Sequence, residues 1–152
     1  MADLQDLYQS IILDHNRSPR NFREMVDADH MARGYNPLCG DQLTLWLRVD
    51  GDQIVDVCFV GTGCAISKAS ASLMTAMVKG KSRADADALF ERFHALVTGK
   101  ADASPGADPR ALGKLAAFSG VSRFPARVKC ASLAWHTLRT ALRENQSEVS
   151  TE

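Results

Sequence analysis

Four cysteines, Cys39, Cys58, Cys64 and Cys130, and one carboxylate, Asp41, are the residues of this 152-residue chain whose types and placement suit them to chemistry. Cys39 lies in the turn-forming run Asn36-Pro37-Leu38-Cys39-Gly40-Asp41, Cys64 follows Gly61-Thr62-Gly63, and Cys130 follows the Phe124-Pro125 break. These three stand where one element gives way to the next, so their side chains can meet at one rim of a sheet. Gly40 lets the backbone turn between Cys39 and Asp41, so that both can face one point. A thiol at a helix N-terminus has a lowered pKa, because the dipole and the free N–H groups favour thiolate. Cys64 and Cys130 are predicted to have that setting, Cys130 in the first turn of the final helix. Three thiolates and one carboxylate make a tetrahedral set for Zn²⁺, with bonds of ~2.3 Å to sulfur and ~2.0–2.2 Å to oxygen. The same ligands suit an iron–sulfur cluster.

Such a set differs from a structural zinc finger, whose ligands come in close pairs. Here they are far apart in sequence, and one is an oxygen, the weaker partner for a borderline-soft ion. A site with an exchangeable carboxylate opens more readily than a closed four-thiolate site, which suits transfer better than bracing. Spacing alone leaves a plainer alternative: the cysteines as small core hydrophobes and Asp41 as a turn or cap residue. Cys58, in mid-strand, reads as core.

The elements that must position these residues follow from patterning. Leu4, Leu7, Tyr8, Ile11 and Ile12 recur at helical spacing up to Pro19. A polar, turn-forming stretch leads to a loop or short edge strand over 30–35. Leu43, Leu45, Leu47 and Val49 alternate with Thr44, Trp46 and Arg48, and Asp50-Gly51 turns the chain into a return strand over 53–60. That strand is read with Val55, Val57 and Phe59 on one side and Ile54, Cys58 and Val60 on the other. Small apolar residues over 66–78 predict a helix packed closely on the sheet. Ser82 and Asp85 open another, with Leu89, Phe90, Phe93, Leu96 and Val97 inward and Gly99 closing it. A loop over 100–107, a short helix capped by Asp108 with Pro109 at its first position and running through Phe118, and a last helix over 128–143 follow. Residues 145–152 read as a polar, disordered tail, leaving one α+β domain over 1–144: an antiparallel sheet of about three strands against several helices.

Composition narrows the function classes. Hydrophobic residues make up 45% of the chain and charged residues 24%, which excludes wholesale disorder. Eighteen basic and eighteen acidic residues cancel, which argues against nucleic-acid and polybasic membrane partners. No apolar run approaches the ~20 residues of a membrane helix. The acidic start, Met1-Ala2-Asp3, lacks a signal-peptide pattern, so the expected location is the cytoplasm, where thiols stay reduced. His15 reads as a cap or partner-facing residue, and His30, His94 and His136 as structural or surface. Met74 and Met77 read as core. The run 69–72 reads as close helix–sheet packing rather than a serine nucleophile, since neither a Gly-x-Ser-x-Gly nor a phosphate-loop motif is present.

Read as whole words, Asn36-Pro37-Leu38-Cys39-Gly40-Asp41, the run 59–67 through Gly63-Cys64-Ala65, the run 69–75, Lys79-Gly80-Lys81 and Arg127-Val128-Lys129-Cys130-Ala131-Ser132-Leu133-Ala134-Trp135 closely resemble the SufU branch of the IscU/NifU-like iron–sulfur cluster assembly family. The resemblance runs from the Leu7-Tyr8 helix through Asp14-His15 and Pro19-Arg20-Asn21 to Trp135, and it implies an IscU/SufE-like fold. It places the metal ligands on Cys39, Asp41, Cys64 and Cys130. Scaffold-type members carry a His before the third cysteine, where this chain has Lys129, and they lack a segment like that between about Gly99 and Phe124. These departures imply a zinc-containing sulfurtransferase rather than a [2Fe–2S] scaffold, which is the alternative; a purely structural zinc is a second. The implied partners are a pyridoxal-phosphate cysteine desulfurase of the SufS type, a group of which displaces one zinc ligand, and a downstream iron–sulfur scaffold. Cys39 is the expected sulfur acceptor, on the loop beside Gly40. Arg127, at a family position, and Lys129 are candidates for offsetting the site's negative charge or contacting the partner.

Overall fold

The computed structural model describes residues 4–37, 40–99, 109–143 and 147–150. The elements in order are α1 (Leu4–Arg17), β1 (His30–Asn36), β2 (Asp41–Asp50), β3 (Gln53–Thr62), α2 (Ala65–Val78), α3 (Arg83–Val97), a 3₁₀ segment (Pro109–Arg123), α4 (Pro125–Arg143) and β4 (Ser147–Ser150). The strands form one sheet in the order β3-β2-β1-β4. The β2–β3 hairpin turns at Gly51, whose φ of +60° suits a residue without Cβ.

Alternation in β2 buries Leu43, Leu45 and Leu47 on one face, as the period-two pattern requires. Their neighbours on β3 depart from simple alternation. A β-bulge shifts the register between Arg48 and Val49, so that Arg48 faces Asp56 and Val49 faces Ile54. Ile54 therefore joins Val57 and Phe59 in the core, while Val55 is 46% exposed. This corrects the grouping of Val55 with Val57 and Phe59.

The core lies between this face and the helices. α4 sits directly on β1: a Cβ on Gly34 would stand 2.2 Å from Thr137 Oγ1 and 3.1 Å from Leu133 Cδ1. α2 is held against α4 by a buried polar link, in which Trp135 Nε1–H donates to Ser70 Oγ (3.2 Å) and Ser70 Oγ–H donates to the Ala131 carbonyl (2.6 Å). The Trp135 ring stacks on Phe93 of α3 at 4.8 Å. α3 opens with Ser82, whose Oγ accepts Asp85 N–H (3.0 Å), and buries Leu89, Phe90, Phe93, Leu96 and Val97 as its periodicity predicts. α1 docks on α2 through His15, which is buried with its Nδ1 2.7 Å from Ser72 Oγ.

Several boundaries differ from expectation. β1 is an interior strand, because β4 pairs with it in parallel, Ala32 to Ser147 through Tyr35 to Ser150. That pairing is a tertiary contact, which is why a polar sequence there reads as a disordered tail. The segment after Pro109 winds as tight 3₁₀ turns broken at Gly113 (φ 57°, ψ −129°) rather than as one short helix. α4 begins at Pro125, whose fixed φ and missing N–H suit a first helical position. The predicted loop over 100–107 and the Asp108 cap lie outside the described residues. Among the described residues no helix is long and apolar enough to cross a membrane.

Candidate metal centre

The start of β2, the β3–α2 junction and the second turn of α4 meet at one end of the sheet, and each contributes a side chain there. Asp41, the first residue of β2, is fully buried. Its two oxygens have separate donors: Cys64 N–H to Oδ1 (2.8 Å) and Asn36 Nδ2–H to Oδ2 (3.2 Å). Cys64 is the N-cap of α2, with extended backbone (φ −73°, ψ 167°) and Sγ accepting Ser67 N–H at 3.4 Å. A sulfur thus takes the capping role usual for a serine or aspartate oxygen, at the positive end of the helix dipole. Cys130 is buried on α4, its Sγ 3.5 Å from Asn36 Nδ2.

One ligand atom from each of Asp41, Cys64 and Cys130 lies within 4.8 Å of the others, and the Cys64 Sγ to Asp41 Oδ2 distance is 4.0 Å. Ligands of a tetrahedral ion bound at ~2.3 Å stand ~3.8 Å apart, so small side-chain adjustments suffice to share one ion. No other such group of three is present among the described residues. Donor chemistry fits too: two sulfurs and a desolvated carboxylate suit a borderline-soft divalent ion better than calcium or magnesium. Cys39 lies outside the described residues. The chain on either side of it closes a turn, Gly40 N–H donating to the Asn36 carbonyl (2.8 Å) with Gly40 at φ +73°.

Two expectations for the cysteines resolve differently. Cys64 holds the helix-terminal position predicted for it. Cys130 lies five residues past Pro125, in the second turn of α4, so the N-terminal dipole acts on it less directly. Cys58, opposite Trp46 in mid-sheet, is wholly buried, and burial pushes its thiol pKa up. Cys58, Cys64 and Cys130 carry thiols rather than disulfides.

A hollow of about 840 Å³ opens beside the cluster, lined by Tyr8, Ile12, Cys64, Phe124, Arg127 and Cys130 among others. Arg127 is exposed and lies over the Phe124 ring at 4.6 Å. Lys129 is half-buried and is not one of the lining residues. Another hollow, of about 770 Å³, lies along Arg33, Tyr35, Gln42 and Thr44, and no cysteine lines it among the described residues. His15 is buried inside the α1–α2 contact rather than partner-facing, and burial lowers its pKa. His94 and His136 pack edge to face beside Phe90. Sequence reasoning does not single out Asn36, whose amide donates to the Asp41 carboxylate, or Gly63, whose missing side chain leaves that carboxylate room. Their signal was adjacency: each sits beside a chemical residue in the Asn36-Pro37 and Gly63-Cys64 words.

Comparison with known proteins places this arrangement. The NifU-like N terminal domain family matches residues 7–131, which carry all three clustered side chains. The chain belongs to that family. Among NifU-like relatives, the zinc-dependent sulfurtransferase SufU of Bacillus subtilis (strain 168) is 39% identical over 145 residues, 95% of each chain. The iron–sulfur cluster assembly scaffold protein IscU of Streptococcus pyogenes serotype M1 is 36% identical over 145 residues, covering 95% of this chain and 88% of that one. The crystal structure of FiSufU from Fervidobacterium islandicum AW-1 superposes with a TM-score of 0.81 at 35% identity, over 92% of this chain and 99% of that one. The fold of this chain is therefore shared with that solved structure.

Proposed function

We propose that this NifU-like chain serves iron–sulfur cluster assembly as a zinc-bound sulfur acceptor. The observation that carries the reading is the convergence of Asp41, Cys64 and Cys130 within 4.8 Å at the mouth of a largely apolar hollow. Cys39 completes the ligand set, two residues before Asp41 in sequence. When bound, Zn²⁺ keeps the thiolates ionised at neutral pH and shields them from oxidation.

The sulfur donor is a pyridoxal-phosphate cysteine desulfurase of the SufS type that presents a cysteine persulfide. The Cys39 thiolate attacks the outer sulfur of that persulfide. The donor's S–S bond breaks, its cysteine leaves as thiolate, and Cys39 carries the persulfide with its proton, with no net redox change. Asp41, Cys64 and Cys130 stay in place because buried hydrogen bonds hold them. A downstream iron–sulfur scaffold receives the sulfur. Such thiol chemistry belongs in a reducing compartment, the cytoplasm.

A second reading, a scaffold on which a [2Fe–2S] cluster is built, has support from the streptococcal IscU relative. Lys129 favours the first, since the scaffold-type pattern has a His there. Aerobic purification separates them: a colourless protein with about one zinc per chain is expected, and a brown protein with iron matching sulfide overturns the sulfurtransferase reading. Cys39→Ala is expected to abolish stimulation of the desulfurase while the fold persists; undiminished stimulation removes Cys39 from its role.

A further inference from the structure

Asn36 is the last residue of β1, and its side chain is wholly buried between two of the clustered groups. Its Nδ2 lies 3.2 Å from Asp41 Oδ2 and 3.5 Å from Cys130 Sγ, so one amide nitrogen, with two hydrogens, spans a carboxylate and a sulfur brought together from residues 94 apart in one case. We propose that Asn36 is a positioning residue for the metal centre, the group that sets the spacing of Asp41 and Cys130. The proposal rests on the metal-binding reading above.

The other end of the same side chain strengthens the argument. Among the described residues, Asn36 Oδ1 is buried with no donor. A buried acceptor left unpaired is costly, and polar groups in folded proteins are nearly always satisfied. Turning the amide over would not help: it would aim Oδ1 at the Asp41 carboxylate oxygen, another acceptor, and lose that contact. The orientation is therefore dictated by the Nδ2 side. The unpaired carbonyl marks a position kept for the donors it supplies rather than for local stability.

The arrangement also explains how Asp41 and Cys130 are held side by side before an ion is present. The Asp41 carboxylate accepts Cys64 N–H on Oδ1 and Asn36 Nδ2–H on Oδ2, and cannot rotate without losing both. Cys64 Sγ accepts from a backbone N–H of its own helix, and Cys130 Sγ accepts from the Asn36 side chain. Hydrogen bonds from groups around the ligands orient them and tune affinity.

The test compares the wild-type protein with Asn36→Leu, of similar shape but without donors, and Asn36→Asp, which puts acceptors in the place of the donors. Zinc affinity is measured by competition with a chromophoric chelator, and the metal-free fold by circular dichroism. We expect both variants to lose about 10–100-fold in affinity with near-native spectra when metal-free, Asn36→Asp the more severely. Asn36→Leu binding zinc as tightly as the wild type overturns the proposal. In case a variant does not fold, the wild type is loaded with NMR-active cadmium. The Asn36 side-chain amide protons are expected to shift on loading, exchange slowly with water and correlate with the ion through Cys130. An amide that keeps its metal-free shifts and exchanges freely overturns the proposal without reference to any variant. A wild-type protein that takes up neither ion overturns the metal-binding reading and this inference together, whereas normal uptake with unaffected Asn36 signals overturns this inference alone.

Discussion

Gly63 and Asp41 occupy the same small space: a Cβ on Gly63 would stand 2.4 Å from Asp41 Oδ1 and 3.0 Å from its Cγ. The glycine backbone has φ +153°, a conformation side chains rarely adopt, and the next N–H, from Cys64, binds the same Oδ1. The absence of a side chain at 63 is thus what lets the β3–α2 junction close over the carboxylate.

Gly63→Ala is therefore expected to push the carboxylate aside and to loosen the Cys64 cap. Zinc affinity should fall by about 10–100-fold, the range seen when groups supporting metal ligands are lost. Stability should drop by ~1–3 kcal/mol from overpacking. Chelator competition and thermal unfolding check the two effects, and unchanged affinity would show that Asp41 does not need its present position.

Cys58 offers the opposite case. It is wholly buried in β3, and burial raises its thiol pKa, so the reactive thiolate is scarce. In metal-free native protein, iodoacetamide is expected to modify Cys64 well before Cys58, which reacts only after unfolding. Cys58→Ala should keep full zinc content at a stability cost of ~1 kcal/mol. Peptide mapping of the alkylated protein tests the order, and early labelling of Cys58 would contradict its placement.

What the sequence made legible was whatever repeats with the period of an element or marks its end. The β2 leucines, the α3 apolar stripe and the Ser82 cap follow from local rules, and so do the chain positions of Asp41, Cys64 and Cys130. Val55 was misplaced because a bulge changes which residues face inward, and a bulge depends on the partner strand rather than on the strand's own pattern. The start of α4 moved because Pro125 reads equally as a helix stop and as a first helical residue. β4 was missed because pairing with β1 is a tertiary event that a polar tetrapeptide does not announce. Asn36 escaped notice because its importance lies in reaching Cys130, far along the chain.

The buried Ser70 hydroxyl joins α2 to α4, accepting from the Trp135 indole and donating to the Ala131 carbonyl. Ser70→Ala leaves the buried Trp135 indole N–H unsatisfied, a loss of ~1–3 kcal/mol. At roughly 2–4 °C per kcal/mol for a chain of this size, the melting temperature should fall by several degrees. Zinc content should be unchanged, since Ser70 lies outside the cluster. A melting temperature equal to the wild type's would mean that water replaces the hydroxyl.

Acid should destabilise the fold through its histidines. Burial lowers the pKa of His15, with Arg20 and Lys114 adding to the effect and Asp14 opposing it; burial likewise lowers that of His136, with His94 and Arg139 in the same direction. A depressed folded-state pKa means that the unfolded chain binds the proton more tightly, so protons favour unfolding. The neutral histidines contribute fully above the ordinary value of about 6.5, and their contribution declines as pH falls below it toward the folded-state values. Melting temperatures compared at about pH 7.5 and pH 5.5 should show the loss, and His136→Phe should flatten part of the slope. An equal slope in that variant would assign the acid sensitivity to other groups.

Arg127 stands exposed at the edge of the hollow beside Cys64 and Cys130, its guanidinium resting on the Phe124 ring. The ring contact fixes where the charge sits, while exposure leaves its free face to a partner. A charge at the rim of an interface governs encounter and salt dependence more than the chemistry inside. Arg127→Glu should therefore raise the KM for the desulfurase roughly tenfold, equivalent to ~1.4 kcal/mol, while kcat and zinc content stay near wild type. The difference between variant and wild type should shrink as salt is added, because screening weakens an exposed charge. Arg127→Gln should fall between the two. A fall in kcat at unchanged KM would instead place Arg127 in the sulfur-transfer step, and an effect independent of salt would point to the Phe124 packing rather than to the charge.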